Sequence, residues 1–185
     1  PGNISFEEAA GLPLAGLTAL QSLEAANIKE NDKVLIHAGS GGVGSFAIQY
    51  AKVKGAYVYT TTSTHNVKWV KDLGADRVID YKTEDYKTIV KDADIVFDTL
   101  GKDYTAEAFE VVKQGGKVVS VVGPLDEASA KMFGMNDYTL PENLATLSQS
   151  KNVDYKFIFM HPNGSHLNSI KTLVEDEKIK PIVDK

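Results

Sequence analysis

The stretch that most constrains the fold is Lys33–Gly55, KVLIHAGSGGVGSFAIQYAKVKG. It opens with an apolar run, VLI, that indicates a buried strand, and its apolar residues then recur at helical spacing. Between the two patterns, Gly39, Gly41 and Gly44 spell G-x-G-x-x-G. In this motif the first glycine permits a tight turn, the second lets the backbone approach a pyrophosphate, and the third lets helix and strand pack closely. Because strand and helix flank the motif as required, it predicts a dinucleotide site rather than a structural turn alone.

Composition excludes several classes of protein. At 185 residues, with 43% hydrophobic and 24% charged residues, the chain is expected to form one globular domain. A net charge of -5 argues against a nucleic-acid partner. No apolar run approaches the roughly 20 residues that a membrane helix needs. With no cysteine and no signal peptide, we expect a cytoplasmic location; since the chain begins at Pro1 rather than Met, we also expect it to derive from something longer.

Strand-like and helical patterns alternate along the whole chain. The predicted strands are Val34–Ile36, Ala56–Thr62, Arg77–Tyr81, Asp94–Thr99, Lys117–Val122 and Val153–Met160. This alternation predicts an α/β fold, a doubly wound parallel six-stranded Rossmann sheet with helices on both faces and strand order 3-2-1-4-5-6. The turns after Ala38, Thr62, Asp98 and Val122 should then surround one crevice. The polar segment Pro124–Thr139 is interpreted as an irregular lid or surface loop.

The identity of the nucleotide depends on the end of the second strand. An NAD site usually has an acidic residue about 20 positions past the glycines, yet the window Tyr59–Thr64 reads YTTTST. Ser63 could donate a hydrogen bond to a 2′-phosphate, and Lys68 could supply positive charge. Alternatively, Ser63 is only a helix cap and Lys68 a solvated lysine. The missing acid favours NADP(H), and it also disfavours an S-adenosylmethionine-dependent methyltransferase of the same architecture.

From Pro1 to Lys185 the chain resembles the coenzyme domain of the medium-chain dehydrogenase/reductases, in particular the zinc-independent quinone and enone oxidoreductases of the ζ-crystallin-like branch. The matching segments are AGLPLAGLTAL, DKVLIHAGSGGVGSFAIQYAK, LGADRVIDY, DIVFDTLG, GGKVVSVVG and IKPIVD. The family pattern A-x-x-G-x-x-G is met by Ala38, Gly41 and Gly44. The resemblance implies an NADPH-dependent enzyme that transfers hydride to a small-molecule quinone, enone or alkenal.

The resemblance also implies roles for individual residues. Gly41–Gly44 would lie under the pyrophosphate, Ser63 and Tyr81 beside the 2′-phosphate, and Thr18 near the nicotinamide. With residues along the adenosine and nicotinamide, the predicted cofactor-binding set is Gly39, Gly41, Gly42, Val43, Gly44, Ser63, Lys68, Tyr81, Leu100, Val122 and Phe159. Tyr81 could instead simply cap a strand end, and Val122 and Phe159 could be ordinary core residues. One departure is Asn66, which stands where quinone reductases often carry a lysine.

Zinc enzymes of this superfamily usually carry a cysteine ligand about where this chain has Leu14, so no metal site is predicted. The four histidines have no metal-binding spacing, and His37 is interpreted as a satisfied core residue. A zinc-type alcohol dehydrogenase domain, or a non-catalytic NADP(H)-binding protein, remain the alternatives.

The resemblance also concerns the extent of the chain. Relatives carry a β-rich, GroES-like catalytic domain around this segment. Residues 1–185 are therefore expected to be the coenzyme domain alone, with no catalytic residue of their own and no turnover in isolation. Because family members commonly pair edge strands, Val153–Met160 is expected to mediate a homodimer.

Overall fold

The computed structural model describes residues 1–183 and contains one parallel sheet. Its strands are β1 (Lys33–Ile36), β2 (Tyr57–Thr62), β3 (Arg77–Asp80), β4 (Ala93–Asp98), β5 (Val112–Ser120) and β6 (Asp154–Phe157). They lie in the order β3-β2-β1-β4-β5-β6, and every pair of neighbours is parallel. The predicted doubly wound sheet and its strand order are confirmed. Asp184 and Lys185, which end the predicted domain, lie outside the described residues.

Helices cover both faces of this sheet. They are α1 (Phe6–Ala10), α2 (Leu12–Ala25), α3 (Gly42–Val53), α4 (Val67–Asp72, after a 3₁₀ turn at Thr64–Asn66), α5 (Tyr86–Ile89), α6 (Asp103–Val111), α7 (Glu127–Met132), α8 (Glu142–Lys151) and α9 (Gly164–Glu175). One core packs the sheet against α2, α3, α4 and α9, and a second packs it against α5, α6 and α8. Because side chains alternate along a strand, Val34 and Ile36 enter the first core and Leu35 the second.

Strands β5 and β6 end earlier than the sequence predicts. Strand β5 ends at Ser120 and β6 at Phe157, so Val122 and Phe159 lie in the turns beyond the strand ends. Apolar character alone does not mark where a strand ends, because a residue in a turn at the carboxyl edge can also be apolar. Both side chains therefore belong to the edge of the sheet where a ligand of this fold binds.

The segment Pro124–Thr139 is not wholly irregular, because it contains α7. The side chain of Asp126 caps this helix by accepting a 2.6 Å hydrogen bond from the Ser129 amide. Asp126 itself was the sequence signal for this helix start, since aspartate is one of the residues preferred at a helix N-cap. The prediction of a structureless loop was therefore wrong for these residues.

Strand β6 lies at the edge of the sheet, as predicted, but helix α7 covers part of its outer side. The amide of Phe157 donates to the Asp126 carboxylate at 2.8 Å, and the Ser129 hydroxyl donates to the Phe157 carbonyl at 3.0 Å. At Phe157 the backbone groups that another strand would need are thus already bonded.

Within residues 1–183, no helix is both long and apolar enough to cross a bilayer.

Candidate cofactor-binding site

The loop between β1 and α3 presents a helix N-terminus at the carboxyl edge of the sheet. Its chain turns sharply, with the Gly41 amide donating to the Ala38 carbonyl at 2.9 Å. Helix α3 then begins with Gly41 as its N-cap, a residue with no side chain to bond the first-turn amides. In the part of the chain that the structure describes, no other side chain accepts from the amides of Gly42–Gly44. Free amides at the start of a twelve-residue helix favour an anion such as a pyrophosphate.

The three glycines of the motif have different structural roles. A Cβ at Gly44 would stand 2.9 Å from the Ala38 carbonyl carbon and closer still to its oxygen. One at Gly39 would stand 2.9 Å from Ile48 Cδ1 and closer still to the Thr60 hydroxyl. At Gly41, by contrast, a Cβ would meet a single atom within 4 Å among the described residues other than its chain neighbours, the Ala38 carbonyl oxygen at 3.3 Å. Gly39 and Gly44 therefore permit close packing, while Gly41 leaves its outer side bare, which is the arrangement that a pyrophosphate needs.

A cavity of about 720 Å³ lies beside this loop. Three of the predicted residues, Ser63, Tyr81 and Leu100, line it together. Its other lining residues are Ala38, Ser40, Thr61, Thr62, Glu84, Asp85, Tyr86, Lys87, Tyr104 and Glu107. Sequence reasoning missed Ser40, although it lies inside the glycine motif, and Tyr104, which only the packing of α6 brings to this edge.

Ser63 belongs to a short chain of side-chain hydrogen bonds. The indole Nε1 of Trp69 donates to Asn66 Oδ1 at 2.9 Å, and Asn66 Nδ2 donates to Ser63 Oγ at 3.3 Å. Since Ser63 Oγ already accepts a hydrogen bond, its own proton remains available to donate to a ligand. Asn66, which replaces the lysine common in quinone reductases, thus orients Ser63 instead of supplying charge. These two hydrogen bonds also connect Trp69, the single tryptophan of the sequence, to this end of the cavity.

Tyr81 lines the cavity and has a lysine beside it. The Tyr81 side chain is 53% exposed, and Lys82 Nζ lies 5.3 Å from the centre of its ring. Lys68 is exposed on α4, and neither Lys68 nor Lys82 lines the cavity itself. Lys82 is therefore the cation that the structure places against Tyr81.

An acid stands beside the window that looked acid-free in the sequence. Asp80, at the end of β3, pairs in register with Thr62 of β2. A hydrogen bond from the Thr64 side chain, together with one from the Lys82 amide at 3.0 Å, holds the pKa of Asp80 below its usual value. The sequence search for an acid covered only the end of β2, about 20 residues past the glycines. It could not detect Asp80, which belongs to the neighbouring strand β3.

The inner wall of the cavity combines charged and aromatic side chains. The Tyr86 hydroxyl donates to Glu107 at 2.8 Å, and Lys87 Nζ lies 3.0 Å from the other Glu107 oxygen. Burial, reinforced by the hydrogen bond to Glu107 and its charge, raises the pKa of the Tyr86 phenol above its usual value. Tyr86 is therefore a neutral donor at physiological pH, held by an acceptor that is itself paired with a lysine.

His37 lies behind this wall and is fully buried. Its ring meets Tyr86 and Tyr104 edge-on, at centroid distances of 5.0 and 5.5 Å. His37 is thus a core residue, as interpreted from the sequence, but it is not satisfied, because among the described residues neither ring nitrogen has a hydrogen-bond partner. The β-strand pattern could not reveal this, because the surrounding rings come from α5 and α6. Burial lowers the pKa of His37 to about 4, although the negative charges of Asp98 and Glu107 oppose that shift.

The residues assigned to the nicotinamide lie outside this cavity. Val122 and Phe159 are 51% and 68% exposed, which excludes the alternative that they are core residues. Phe159 packs edge-to-face against Phe133, at 5.5 Å between ring centres. Thr18 is nearly buried, and its hydroxyl donates to the Leu14 carbonyl at 2.8 Å. Phe133 was missed by sequence reasoning because its segment was taken for an irregular loop.

Metal-binding side chains are dispersed. Over residues 1–183, no group of three or more His, Asp or Glu side chains is placed to hold a metal ion. Leu14, which stands where zinc relatives carry a cysteine, is 67% exposed and offers no donor atom.

Comparison with known proteins gives the class to which this geometry belongs. The family model of the zinc-binding dehydrogenases matches residues 42–156, more than half of the chain. The chain belongs to this family, within the medium-chain dehydrogenase/reductase superfamily. It is a coenzyme-binding domain of the quinone oxidoreductase-like type.

Individual relatives have closely related names. The chain is 35% identical over 186 residues to the 2-methylene-furan-3-one reductase of Solanum lycopersicum, and the match spans 100% of the chain and 41% of that protein. The chloroplastic NADPH-dependent alkenal/one oxidoreductase of Arabidopsis thaliana has the same identity and coverage. Among solved structures, the quinone oxidoreductase from Coxiella burnetii matches with a TM-score of 0.81 and 35% identity, over 98% of this chain and 53% of that one. The chain thus spans about two-fifths to half of the length of these relatives.

Proposed function

We propose that this chain is the NADP(H)-binding domain of an oxidoreductase that reduces an electron-poor C=C bond of an enone or alkenal, or a quinone. The observation that carries the proposal is the pairing of an open helix N-terminus at Gly41–Gly44 with the cavity lined by Ser63, Tyr81 and Leu100. When bound, the reduced nicotinamide supplies the hydride. The names of the relatives support the substrate classes, since they include an alkenal/one oxidoreductase and a quinone oxidoreductase.

The chain's own residues bind and orient the cofactor in this proposal. The amides of Gly42, Val43 and Gly44 donate hydrogen bonds to the pyrophosphate, and the bare backbone at Gly41 allows its close approach. The adenosine half occupies the cavity beside Leu100. Val122 and Phe159 flank the nicotinamide half, which in a doubly wound sheet lies over the strands on the other side of the crossover. Thr18 lies near that half, but its hydroxyl is engaged by Leu14 and leaves little capacity for oxyanion stabilisation.

A preference for NADP(H) over NAD(H) is part of the proposal. Ser63 and Tyr81 line the same cavity, and Lys82 beside Tyr81 supplies positive charge, with Lys68 as a second, more remote cation. Asp80 lies nearby, but its carboxylate already accepts from Thr64 and from the Lys82 backbone. An NADPH-dependent relative that matches along the whole chain supports this preference.

The activity belongs, in this proposal, to a longer protein. The match to only about half of each relative supports a second, catalytic GroES-like domain that completes the substrate site. Residues 1–185 alone would bind the cofactor and turn over no substrate, because positioning supplies much of the rate of hydride transfer. No catalytic residue is assigned within them.

Three further expectations accompany the proposal. The net charge of -5 supports partners other than nucleic acid, and no membrane partner is proposed. The homodimer also remains a proposal, supported by the edge position of β6; pairing along the whole strand would require α7 to release Phe157. The cytoplasmic location remains a prediction, since relatives include proteins named as chloroplastic and mitochondrial.

Steady-state assays of the full-length protein test the proposed activity. NADPH oxidation would be followed with panels of quinones, enones and alkenals, and alcohol oxidation with NADP⁺ in parallel. We expect reduction of an enone, alkenal or quinone that survives a zinc chelator. Chelator-sensitive alcohol oxidation would support the zinc-type alternative, and cofactor binding without any turnover would support the non-catalytic one.

A further inference from the structure

A buried carboxylate links the two turns that the proposed function places against the cofactor. Asp98, the last residue of β4, is fully buried, and within residues 1–183 no lysine or arginine pairs with it. It accepts four hydrogen bonds, from the amides of Leu100 and Gly101 at 2.9 Å each, from the Thr105 hydroxyl at 2.6 Å and from the Ser120 hydroxyl at 2.9 Å. Four donors compensate a buried charge that would otherwise be strongly unfavourable.

The Ser120 hydroxyl carries this network to the next turn. Its oxygen accepts from the Gly123 amide at 2.8 Å and from the Val122 amide at 3.3 Å. The two turns also touch directly, because a Cβ at Gly101 would stand 3.1 Å from the Val122 carbonyl oxygen. Asp98 and Ser120 therefore fix the turn that carries Leu100 relative to the turn that carries Val122.

We infer that Asp98 is a positioning residue for the dinucleotide: through Ser120, its carboxylate holds the Leu100 turn and the Val122 turn in a fixed relation, so that one rigid surface meets both halves of the cofactor. This inference rests on the proposed function. Leu100 lines the adenosine cavity, whereas Val122 lies one strand further along the same edge and outside that cavity. A rigid link between the turns lowers the cost of ordering them when a ligand spans both.

Thr105 and Ser120 provide a matched pair of substitutions. Both hydroxyls donate to the same oxygen of Asp98, but only the Ser120 oxygen accepts from the Val122 turn. Ser120→Ala removes the side-chain link between the turns and leaves only their direct backbone contacts, whereas Thr105→Val removes an equivalent donor without freeing either turn. Asp98→Ala releases both turns and leaves the amides of Leu100 and Gly101 without an acceptor.

The experiment measures the affinity of each variant of this chain for NADPH and for 2′,5′-ADP, which reports on the adenosine half alone. We expect Ser120→Ala to weaken NADPH about tenfold while its 2′,5′-ADP affinity stays within about twofold of the parent, and Thr105→Val to change neither. If folded, Asp98→Ala should weaken both ligands. Circular dichroism melting confirms folding, and the Ser120→Ala and Thr105→Val pair decides the outcome if Asp98→Ala does not fold.

Equal NADPH affinity in folded Ser120→Ala and parent, or an equal loss in Thr105→Val and Ser120→Ala, would overturn this inference alone. A parent chain that bound neither ligand would overturn the proposed function, and this inference with it.

Discussion

Gly44 lies against the carbonyl group of Ala38 so closely that a Cβ at position 44 would stand 2.9 Å from the Ala38 carbonyl carbon. This contact joins the first turn of α3 to the end of β1. It explains why the third glycine of the motif follows the first at this spacing, since only glycine lets the helix begin so near the strand. The helix N-terminus that is proposed to hold the pyrophosphate depends on this contact for its position.

Substituting Gly44 with alanine should therefore destabilise the domain. We expect a loss of about 3 kcal/mol in the free energy of unfolding, because the new methyl group meets rigid backbone rather than a flexible side chain. Gly42→Ala is the matched control, since a Cβ there would make an ordinary contact of 3.7 Å with Ala15 Cβ. Urea unfolding of both variants makes the comparison. Equal stability of the two would show that α3 can move away from β1 at little cost.

His37 should make stability depend on pH above the range in which carboxylates titrate. Its pKa falls from 6.5 to about 4 in the folded state, so the unfolded chain binds the proton more tightly. The stability is complete above pH 6.5 and is lost as the pH falls towards 4. Between pH 7 and pH 5 the loss should reach about 2 kcal/mol. The groups that face the ring are Tyr86, Tyr104, Asp98 and Glu107.

The measurement is urea unfolding of the parent and of His37→Leu at several pH values. The variant should show a much flatter profile between pH 7 and pH 5, whatever its absolute stability. Parallel profiles in the two proteins would mean that the imidazole is protonated as easily in the folded chain as in the unfolded one.

Lys82 should contribute more than Lys68 to the choice of NADP(H) over NAD(H). Lys82→Ala should weaken NADP⁺ about three- to tenfold and leave NAD⁺ nearly unchanged, because only NADP⁺ carries the 2′-phosphate. Lys68→Ala should have a smaller effect, because Lys82 is the cation that lies beside the cavity-lining Tyr81, with its Nζ 5.3 Å from the ring centre. Calorimetric titrations at low and at high salt test both variants, and the differences should shrink at high salt. A larger effect of Lys68→Ala would instead identify Lys68, the lysine predicted from the sequence, as the main cation for the 2′-phosphate.

Much of the fold could be predicted because the spacing of apolar residues in the sequence marks its strands and helices. Each strand residue between Val34 and Ile36 faces a core, and the strand order follows from the alternation and from right-handed crossovers. The glycine loop was predictable for the same reason, since its residues are adjacent in the sequence. Ser63 came from the acid-free window after β2 and Tyr81 from the family resemblance, and the structure places them in one cavity.

The parts that could not be predicted depend on contacts between distant segments. Asp80 meets Thr62 only through the pairing of β3 with β2, and His37 lacks partners only because α5 and α6 enclose it with rings. Phe133 reaches Phe159 because α7 docks on β6 through Asp126. The periodicity of a short sequence window carries no information about such long-range contacts.

The central claim is that this domain binds NADP(H) through the bare backbone at Gly41, and titration of the 185-residue chain with NADPH tests it most directly. Emission from Trp69, which connects through Asn66 to Ser63, should change on binding and give the affinity. Gly41→Val should abolish that binding while keeping a melting curve close to the parent's, because a Cβ at this position would meet a single atom of the described residues beyond its chain neighbours, at 3.3 Å. NADH should bind more weakly than NADPH to the parent chain. An unchanged NADPH affinity in folded Gly41→Val, or equal affinities of the parent for NADPH and NADH, would contradict the account.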